Sequence, residues 1–74
     1  MDKEAFLIKL GARISTLRKS QKMKQAELAA LCDIETPNLR RIEAGRTNPT
    51  ALTCLKISQA LNIPLKDIFD FELS

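Results

Sequence analysis

The chain has 74 residues, of which 45% are hydrophobic and 28% are charged. A chain of this length has room for one domain, and its composition is that of a folded globular protein rather than of a disordered segment. Its apolar runs are far shorter than the roughly 18 residues that span a bilayer, and no signal-peptide pattern opens the chain. We therefore expect a single soluble domain, residues 1–74, in the cytoplasm.

Residue types that bind metals or perform catalysis are scarce. The chain has two cysteines and no histidine, so it cannot assemble a four-ligand zinc site or a Cys–His catalytic pair. It also lacks a glycine-rich phosphate loop, and its pattern brings no pair of acids together in a pocket. We expect no enzyme activity, metal site, cofactor, membrane contact or small-molecule ligand, and we expect Cys32 and Cys54 to be buried apolar residues.

The net charge of +3 at pH 7 is unevenly distributed. Residues 13–46 hold eight lysines or arginines and four acidic residues, whereas three acids and no base follow from Asp67 onward. Such asymmetry suggests that a polyanion contacts only the first two-thirds of the chain. The alternative is a solvated surface on which charges cluster by chance.

The first segment has the apolar spacing of an amphipathic helix. Spacings of four, four and three residues separate Phe6, Leu10, Ile14 and Leu17. Asp2 is the expected N-cap, and the helix should end near Gln21. Met23, in the connection that follows, is expected to contact the core.

A second helix is predicted over Gln25–Leu31, with Leu28 and Leu31 buried. The apolar periodicity breaks at residues 32–34, which predicts a turn of about three residues. Asp33 is the candidate for a left-handed conformation in this turn, because aspartate tolerates positive φ better than most residues with a side chain.

Residues 36–44 are predicted to form a third helix with two unlike faces. Successive residues of an α-helix turn by about 100°, so the positions divide between two sides. The side that should face the core carries Leu39, Ile42 and Glu43. The side that should face outward carries Thr36, Pro37, Arg40, Arg41 and Ala44.

The third helix has two possible starts. Thr36 can be the N-cap with Pro37 at the first helical position, which local rules prefer, or Glu35 can be the N-cap with Pro37 at the second position. Gly45 is expected to end this helix.

A fourth helix should begin at Thr50 as its N-cap and end at residues 62–64. Its apolar positions at helical spacing are Leu52, Leu55, Ile57, Ala60 and Leu61. A short fifth helix and an apolar tail should follow. The chain shows no strand pattern and no internal repeat, so we predict an all-α fold of five helices.

A helix, a short turn and a second helix with exposed arginines are the geometry that places a helix in the DNA major groove. From Leu10 to about Ile68, the chain resembles the helix-turn-helix domains of the phage repressor and Cro class, the XRE family. The matching elements, in order, are Leu10-Gly11, Ile14, Leu17-Arg18, Gln25-Ala26-Glu27-Leu28-Ala29, Ile34, Leu39, Ile42-Glu43, Gly45, Asn48-Pro49-Thr50 and Ala60-Leu61. Two positions depart from the family pattern: Asp33 replaces the usual glycine, and Lys24 replaces the usual serine or threonine that caps the second helix.

The resemblance implies a compact repressor-like domain in which helices 2 and 3 form the helix-turn-helix. In similar proteins, the residues that match Arg18 and Glu43 form a buried or partly buried salt bridge. We expect the same pair here, because an inward-facing carboxylate without a partner would be costly.

The outward face of the third helix is expected to contact DNA bases. Arg40 and Arg41 can donate paired hydrogen bonds to guanine, and Arg41 is the stronger candidate because the matching position in the resembling repressors often touches bases. Thr36 and Asn38 can hydrogen-bond near the helix start, with a sugar-phosphate contact as the alternative for Asn38. Pro37 can offer an apolar contact to a thymine methyl group. The alternative for the arginines is a plain solubilising role.

Phosphate contacts are expected at the edges of the same surface, where helix starts offer free N–H groups. Gln25 is the family's usual phosphate residue. Lys24, Arg46, Thr47 and Asn48 should flank the same groove edge. The alternative is that these are ordinary polar loop residues.

We therefore predict a DNA-binding transcriptional regulator, a repressor or autoregulator, that acts as a symmetric dimer on a palindrome with half-sites ~34 Å apart. The expected dimer interface consists of Leu65, Ile68, Phe69, Phe71 and Leu73. Closure of the monomer's own core is the alternative for these side chains. The rival function is a protein-interaction module, such as an antitoxin that neutralises a toxin or another partner protein and binds DNA only for autoregulation.

Overall fold

Five α-helices make up most of residues 2–73, the part of the chain that the computed structural model describes. In chain order they are α1 (Lys3–Ser20), α2 (Gln25–Leu31), α3 (Thr36–Glu43), α4 (Ala51–Ala60) and α5 (Leu65–Ile68). Because this part of the chain contains no strand, the prediction of an all-α fold with five helices is confirmed. Within the same residues, no helix is both long and apolar enough to cross a membrane.

The start of α1 agrees with the sequence prediction. The carboxylate of Asp2 accepts hydrogen bonds from the backbone N–H groups of Glu4 and Ala5 at 2.9 and 3.4 Å. It thereby satisfies donors that have no partner inside the first turn of a helix. The helix ends at Ser20, one residue before the predicted Gln21.

Side chains from all five helices form one core. Its buried aliphatic members include Leu10, Ile14, Leu28, Leu39, Ile42, Ile57, Leu61 and Ile68. Cys32 and Cys54 are buried as predicted, and burial raises the pKa of both thiols. Met23 is half-buried and packs against the core, also as predicted.

Leu31 does not enter the core, since its relative exposure is 62%. The buried face of α2 is formed by Leu28 and Ala29, and it continues into Cys32 just after the helix. At about 100° per residue, Leu31 lies well to one side of this face. The prediction that Leu31 is buried was wrong. Its spacing of three residues from Leu28 places it near Leu28 on the helix surface, but on the side of Leu28 that faces away from Ala29 and Cys32.

The buried face of α4 also differs from the predicted one. Leu52 and Leu55 have exposures of 60% and 38%, whereas the inward face carries Cys54, Ile57 and Ser58. The Ser58 hydroxyl donates to the carbonyl of Leu55 at 2.7 Å. Because this hydrogen bond is made within the helix, a small polar side chain can occupy the core at little cost.

Residues 32–34 form the turn between α2 and α3. Asp33 has a φ of 55°, which confirms the predicted left-handed residue. The backbone N–H of Ile34 then donates to the carbonyl of Ala29 at 3.0 Å. This bond closes the end of α2 and sets the direction in which the chain leaves it.

The helix α3 begins one residue earlier than local rules prefer. Glu35 is the N-cap, with a ψ of 145°, so Thr36 and Pro37 occupy the first two helical positions. N–H groups in the first turn have no partner inside the helix, so proline costs no hydrogen bond at the second position either. The preference for Thr36 as N-cap was therefore wrong.

The end of α3 follows the predicted pattern. Gly45 has a φ of 74°, and its N–H donates to the carbonyl of Ile42 at 3.1 Å, while the N–H of Arg46 donates to the carbonyl of Arg41 at 2.9 Å. These two bonds are a Schellman motif, which favours glycine at the left-handed position. Thr50 caps the start of α4 through its hydroxyl, also as predicted.

The segment that follows α5 folds back along α1. Phe71 is half-buried and packs against Phe6, with ring centroids 5.7 Å apart. The ammonium group of Lys9 donates to the carbonyl of Glu72. Ile68 is completely buried. Ile68 thus belongs to the monomer core and not to an exposed interface, and Phe71 is largely committed to the same monomer.

Candidate nucleic-acid interface

The helix α3 is anchored by one face and open on the other. Its inward side chains Leu39 and Ile42 are buried, and the helix packs against both α1 and α2. Its outward positions Pro37, Arg40 and Arg41 are exposed. The fold therefore holds α3 as a rigid element whose free face can contact another molecule.

The residues predicted to contact bases do not all have the same access to solvent. Pro37, Arg40 and Arg41 are exposed, whereas Thr36 and Asn38 are half-buried. The last two lie in the first turn of α3, at the margin of its free face. The structure therefore leaves the two arginines as the side chains with the greatest freedom to reach a partner.

Three arginines lie around one depression near the end of α3. Arg40, Arg41 and Arg46 line it together with Ala44. Among residues 2–73, ion pairs are formed by Arg13 and by Arg18, and none of these three arginines has a carboxylate partner. No ion pair within the described residues therefore neutralises their positive charge, which favours an anionic partner.

The residues predicted to contact phosphates belong to two segments. Lys24 is the exposed N-cap of α2, and Gln25, the first residue of that helix, is half-buried. Arg46, Thr47 and Asn48 lie in the loop between α3 and α4, where Thr47 is half-buried and the other two are exposed. Asn48 lines a depression with residues from the start of α1, including Lys3.

Arg18 and Glu43 form a buried ion pair between α1 and the last residue of α3. Arg18 Nε lies 2.7 Å from Glu43 Oε2, and Arg18 Nη2 lies 2.9 Å from Oε1, so the contact is bidentate. The side chains are only 9% and 5% exposed. Arg18 Nη1 also donates to the carbonyl of Met23 at 2.7 Å. The pair thus ties α3 to α1 and to the connection before α2.

The ion pair controls the protonation of Glu43. Burial alone would raise the pKa of this carboxyl, but hydrogen bonds from Arg18 and Gln25 outweigh burial and lower it. The hydrogen bond to Glu43 raises the pKa of Arg18. Both groups are therefore charged at neutral pH, and the charge of each is neutralised inside the protein rather than offered to a ligand.

One contact at this site was not predicted from the sequence. Gln25 Nε2 donates to Glu43 Oε1 at 3.0 Å, which joins the first residue of α2 to the last residue of α3. The resemblance assigned a phosphate role to Gln25 and a structural role to Glu43, and it did not connect them. Since the two residues are 18 positions apart, no local pattern could indicate the contact.

Two further basic side chains of α1, those of Lys9 and Arg13, are used within the protein. Arg13 Nε donates to the carbonyl of Asp67 at 2.9 Å, and Arg13 Nη2 lies 3.9 Å from a carboxylate oxygen of Asp70. Lys9 is also engaged, by the carbonyl of Glu72. The arginines without an ion pair in the described residues are therefore Arg40, Arg41 and Arg46, in and just after α3. They are distant in sequence from the acidic residues that follow Asp67.

Two helices joined by a short turn, with the second helix anchored inward and basic outward, define a helix-turn-helix protein. The sequence profile of the helix-turn-helix family matches residues 14–68. The chain therefore belongs to the helix-turn-helix family, and the predicted resemblance to the phage repressor and Cro class is confirmed.

Several known proteins are similar to this chain. The control protein C.BamHI of Bacillus amyloliquefaciens is 36% identical over 62 residues, which are 82% of this chain and 76% of that protein. The crystal structure of the restriction-modification controller protein C.AhdI from Aeromonas hydrophila matches with a TM-score of 0.84 at 30% identity, over 85% of this chain and 96% of that one.

A third relative is longer than this chain. The HTH-type transcriptional regulator DdrOP3 of Deinococcus deserti is 29% identical over 63 residues, which are 85% of this chain. The chain spans about half, 49%, of that regulator's length.

Proposed function

We propose that this chain is a sequence-specific DNA-binding transcriptional regulator that places α3 in the major groove of duplex DNA. The observation that carries the proposal is the free, basic face of α3: Arg40 and Arg41 are exposed and have no carboxylate partner among the described residues, while the opposite face is locked into the core. A helix held in this way can enter the groove, which is wide enough to admit it, without losing its own packing.

Different residues would have different tasks in such a complex. Arg40 and Arg41 would read guanine through paired hydrogen bonds, and Thr36, Pro37 and Asn38 would contact bases or sugar near the start of α3. The residues that would fix the position of the protein on the backbone, by contacts to phosphate, are Lys24, Gln25, Arg46, Thr47 and Asn48.

The relatives support a regulatory role. One is a transcriptional regulator, one a control protein, and one a restriction-modification controller. We infer that residues 1–74 act as one cytoplasmic domain without catalytic activity, and that its binding to a promoter represses transcription, including that of its own gene.

We further propose that the protein binds DNA as a symmetric dimer through the surface around α5. Leu65, Phe69 and Leu73 are exposed there, and apolar side chains of this size gain stability when a partner covers them. Ile68 and Phe71 support this surface from within the monomer. A symmetric dimer would place two copies of α3 at half-sites ~34 Å apart.

Sedimentation analysis tests the dimer directly. We expect a mass near twice the 8.3 kDa of one chain at tens of micromolar protein. A mass near 8.3 kDa at that concentration would contradict the dimer. It would also leave Leu65, Phe69 and Leu73 free for a different protein, which is the role expected of an antitoxin.

Selection from a random duplex library, followed by sequencing, tests the function itself. We expect a palindrome with half-sites about one helical turn apart to be enriched. Parallel selection with Arg40→Ala should change the enriched sequence, and the control Gln59→Ala, at an exposed position of α4 outside both proposed surfaces, should not. Failure to enrich any sequence at low salt would contradict the proposed function.

A further inference from the structure

The carboxylate of Glu43 binds two side chains with different tasks. Its Oε1 atom accepts from Arg18 Nη2 at 2.9 Å and from Gln25 Nε2 at 3.0 Å, and its Oε2 atom accepts from Arg18 Nε at 2.7 Å. Arg18 is itself held by the carbonyl of Met23. Arg18 therefore holds the carboxylate of Glu43 in place. The remaining contact of this carboxylate is to Gln25, the first residue of α2.

This contact determines how the Gln25 carboxamide is oriented. An amide has two N–H donors on its nitrogen and an acceptor oxygen, whereas an ionised carboxylate can only accept. If the Gln25 amide turned over, its oxygen would face the oxygen of Glu43, and the two would repel. One Nε2–H is thus used by Glu43, and the second Nε2–H is left for a partner outside the network.

We propose that Glu43 is a positioning residue for DNA binding: by holding the Gln25 carboxamide, it leaves the second Nε2–H set to donate to a backbone phosphate, with Arg18 fixing Glu43 for this purpose. This inference rests on the proposed function, in which the start of α2 meets the DNA backbone. A side chain that is already ordered loses less conformational freedom on binding, so the contact to phosphate is stronger than that of a free glutamine.

The buried ion pair of Arg18 and Glu43 thereby acts on DNA affinity through a neutral residue, Gln25. Glutamine carries no charge, so the loss of its phosphate contact releases no fewer counterions and should leave the salt dependence of binding unchanged. This separates Gln25 from Lys24 and Arg46, whose removal should flatten that dependence. Because Gln25 carries no charge, the strength of its contact to phosphate depends on the orientation of its carboxamide, which Glu43 holds.

A double-mutant cycle tests the coupling. The variants are Gln25→Ala, the pair Arg18→Met with Glu43→Met, and the combination of all three, measured on the palindrome recovered by selection. The two methionines remove the acceptor of Gln25 while they fill the buried site with side chains of similar volume, a replacement that buried ion pairs often tolerate. Binding is measured at a temperature at which circular dichroism shows every variant to be folded.

We expect Gln25→Ala and the double-methionine variant each to weaken binding about three- to tenfold, as for the loss of one hydrogen bond. The combined variant should bind no more weakly than either, because all three changes remove the same contact. The slope of log affinity against log salt should not change. The matched control is Gln59→Ala, an exposed glutamine on α4, which should leave affinity unchanged.

Additive losses in the combined variant would overturn the proposal, as would an unchanged affinity for Gln25→Ala on an operator that the wild type binds. In both cases the proposed function would stand, because the operator is still recognised. If the library yields no enriched sequence at low salt, the proposed function fails instead.

A measurement on the free wild-type protein tests the orientation without DNA, and it also serves if the double-methionine variant does not fold. In a nitrogen-15 spectrum, in which the two Nε2 protons of a glutamine give separate signals, we expect one of those of Gln25 to exchange slowly with water. An amide of Gln25 that exchanges as fast as that of the exposed Gln59 would overturn the proposal.

Discussion

The carbonyl oxygen of Ile42 lies directly against Gly11, so that a Cβ atom added at position 11 would be 2.3 Å from it. The carbonyl oxygen of Glu43 would be only 2.6 Å away. Both neighbours are backbone atoms, which cannot rotate out of the way as a side chain can. Gly11 thus sets how closely α1 approaches the end of α3, and thereby where the outward face of α3 stands.

We expect Gly11→Ala to destabilise the protein by about 1–3 kcal/mol or more, because the added methyl group must push two helices apart. Inside a helix, alanine is otherwise favoured over glycine, so the sign of the effect is informative. The measurement is the free energy of unfolding in urea. Ala12→Gly at the exposed next position is the control, with an expected loss of about 0.5–1 kcal/mol from helix propensity alone. A Gly11→Ala variant more stable than the wild type would contradict the close packing.

Removal of Arg18 alone should be far more costly than removal of the whole ion pair. Arg18→Met leaves the carboxylate of Glu43 buried without a charged partner, which should cost about 3–5 kcal/mol. Arg18→Met together with Glu43→Met should lie close to the wild type, since no uncompensated charge remains. Urea unfolding of the three proteins gives the comparison. Equal stabilities of Arg18→Met and the wild type would mean that the pair contributes nothing to the fold.

The stability of the protein should fall in acid partly through Glu43. Its pKa is lowered in the folded state, below the value of about 4.3 expected for an unfolded glutamate. The unfolded chain then takes up a proton that the folded chain does not, so stability rises with pH in this range. The contribution of Glu43 is complete above the unfolded pKa and is lost as the pH falls through the folded one. The double-methionine variant, measured by urea unfolding across the same pH range, should lack this part of the acid sensitivity. If its stability changed with pH as that of the wild type does, Glu43 would not contribute to the loss of stability in acid.

Substitutions of the neighbouring residues Ile68 and Phe69 should distinguish an effect on the monomer's stability from an effect on dimer formation. Ile68 is completely buried and Phe69 is 41% exposed. We expect Ile68→Ala to cost about 2–5 kcal/mol of stability in the monomer, as other large-to-small changes in cores do. Phe69→Ala should cost the monomer less stability than Ile68→Ala, because less of Phe69 is buried, and it should weaken the dimer, which sedimentation at several concentrations would show. A Phe69→Ala protein that dimerises as well as the wild type would exclude this residue from the interface.

The sequence predicted those parts of the fold that depend on local chemistry. Asp2 and Thr50 cap helices, and Gly45 and Asp33 adopt positive φ, because each residue type satisfies a need that the chain creates within a few positions. These features can be read from neighbouring residues alone.

The errors occurred where tertiary packing decides. By their spacing, Leu31, Leu52 and Leu55 could belong to buried apolar stripes, but all three are exposed. In α4, for example, the face that packs into the core carries Cys54 and Ser58 instead. Spacing defines which residues share a face and leaves open which face a neighbouring helix covers. The same limit applies to the site: the arginines could be placed on the outward side of α3, whereas the hydrogen bond from Gln25 to Glu43 forms only when α2 and α3 are packed together.

The exposed arginines of α3 should read the DNA sequence, and Arg41 is the residue at which substitution tests this role. The measurement is the affinity of the wild type and of Arg41→Ala for every single base-pair variant of the selected operator, with Arg46→Ala as the control. We expect Arg41→Ala to lose discrimination at one base pair in each half-site, about 1–3 kcal/mol, and to keep it elsewhere. Arg46→Ala should weaken binding to all variants alike and flatten the salt dependence. An Arg41→Ala protein that keeps the full base preference of the wild type would contradict the placement of α3 in the major groove.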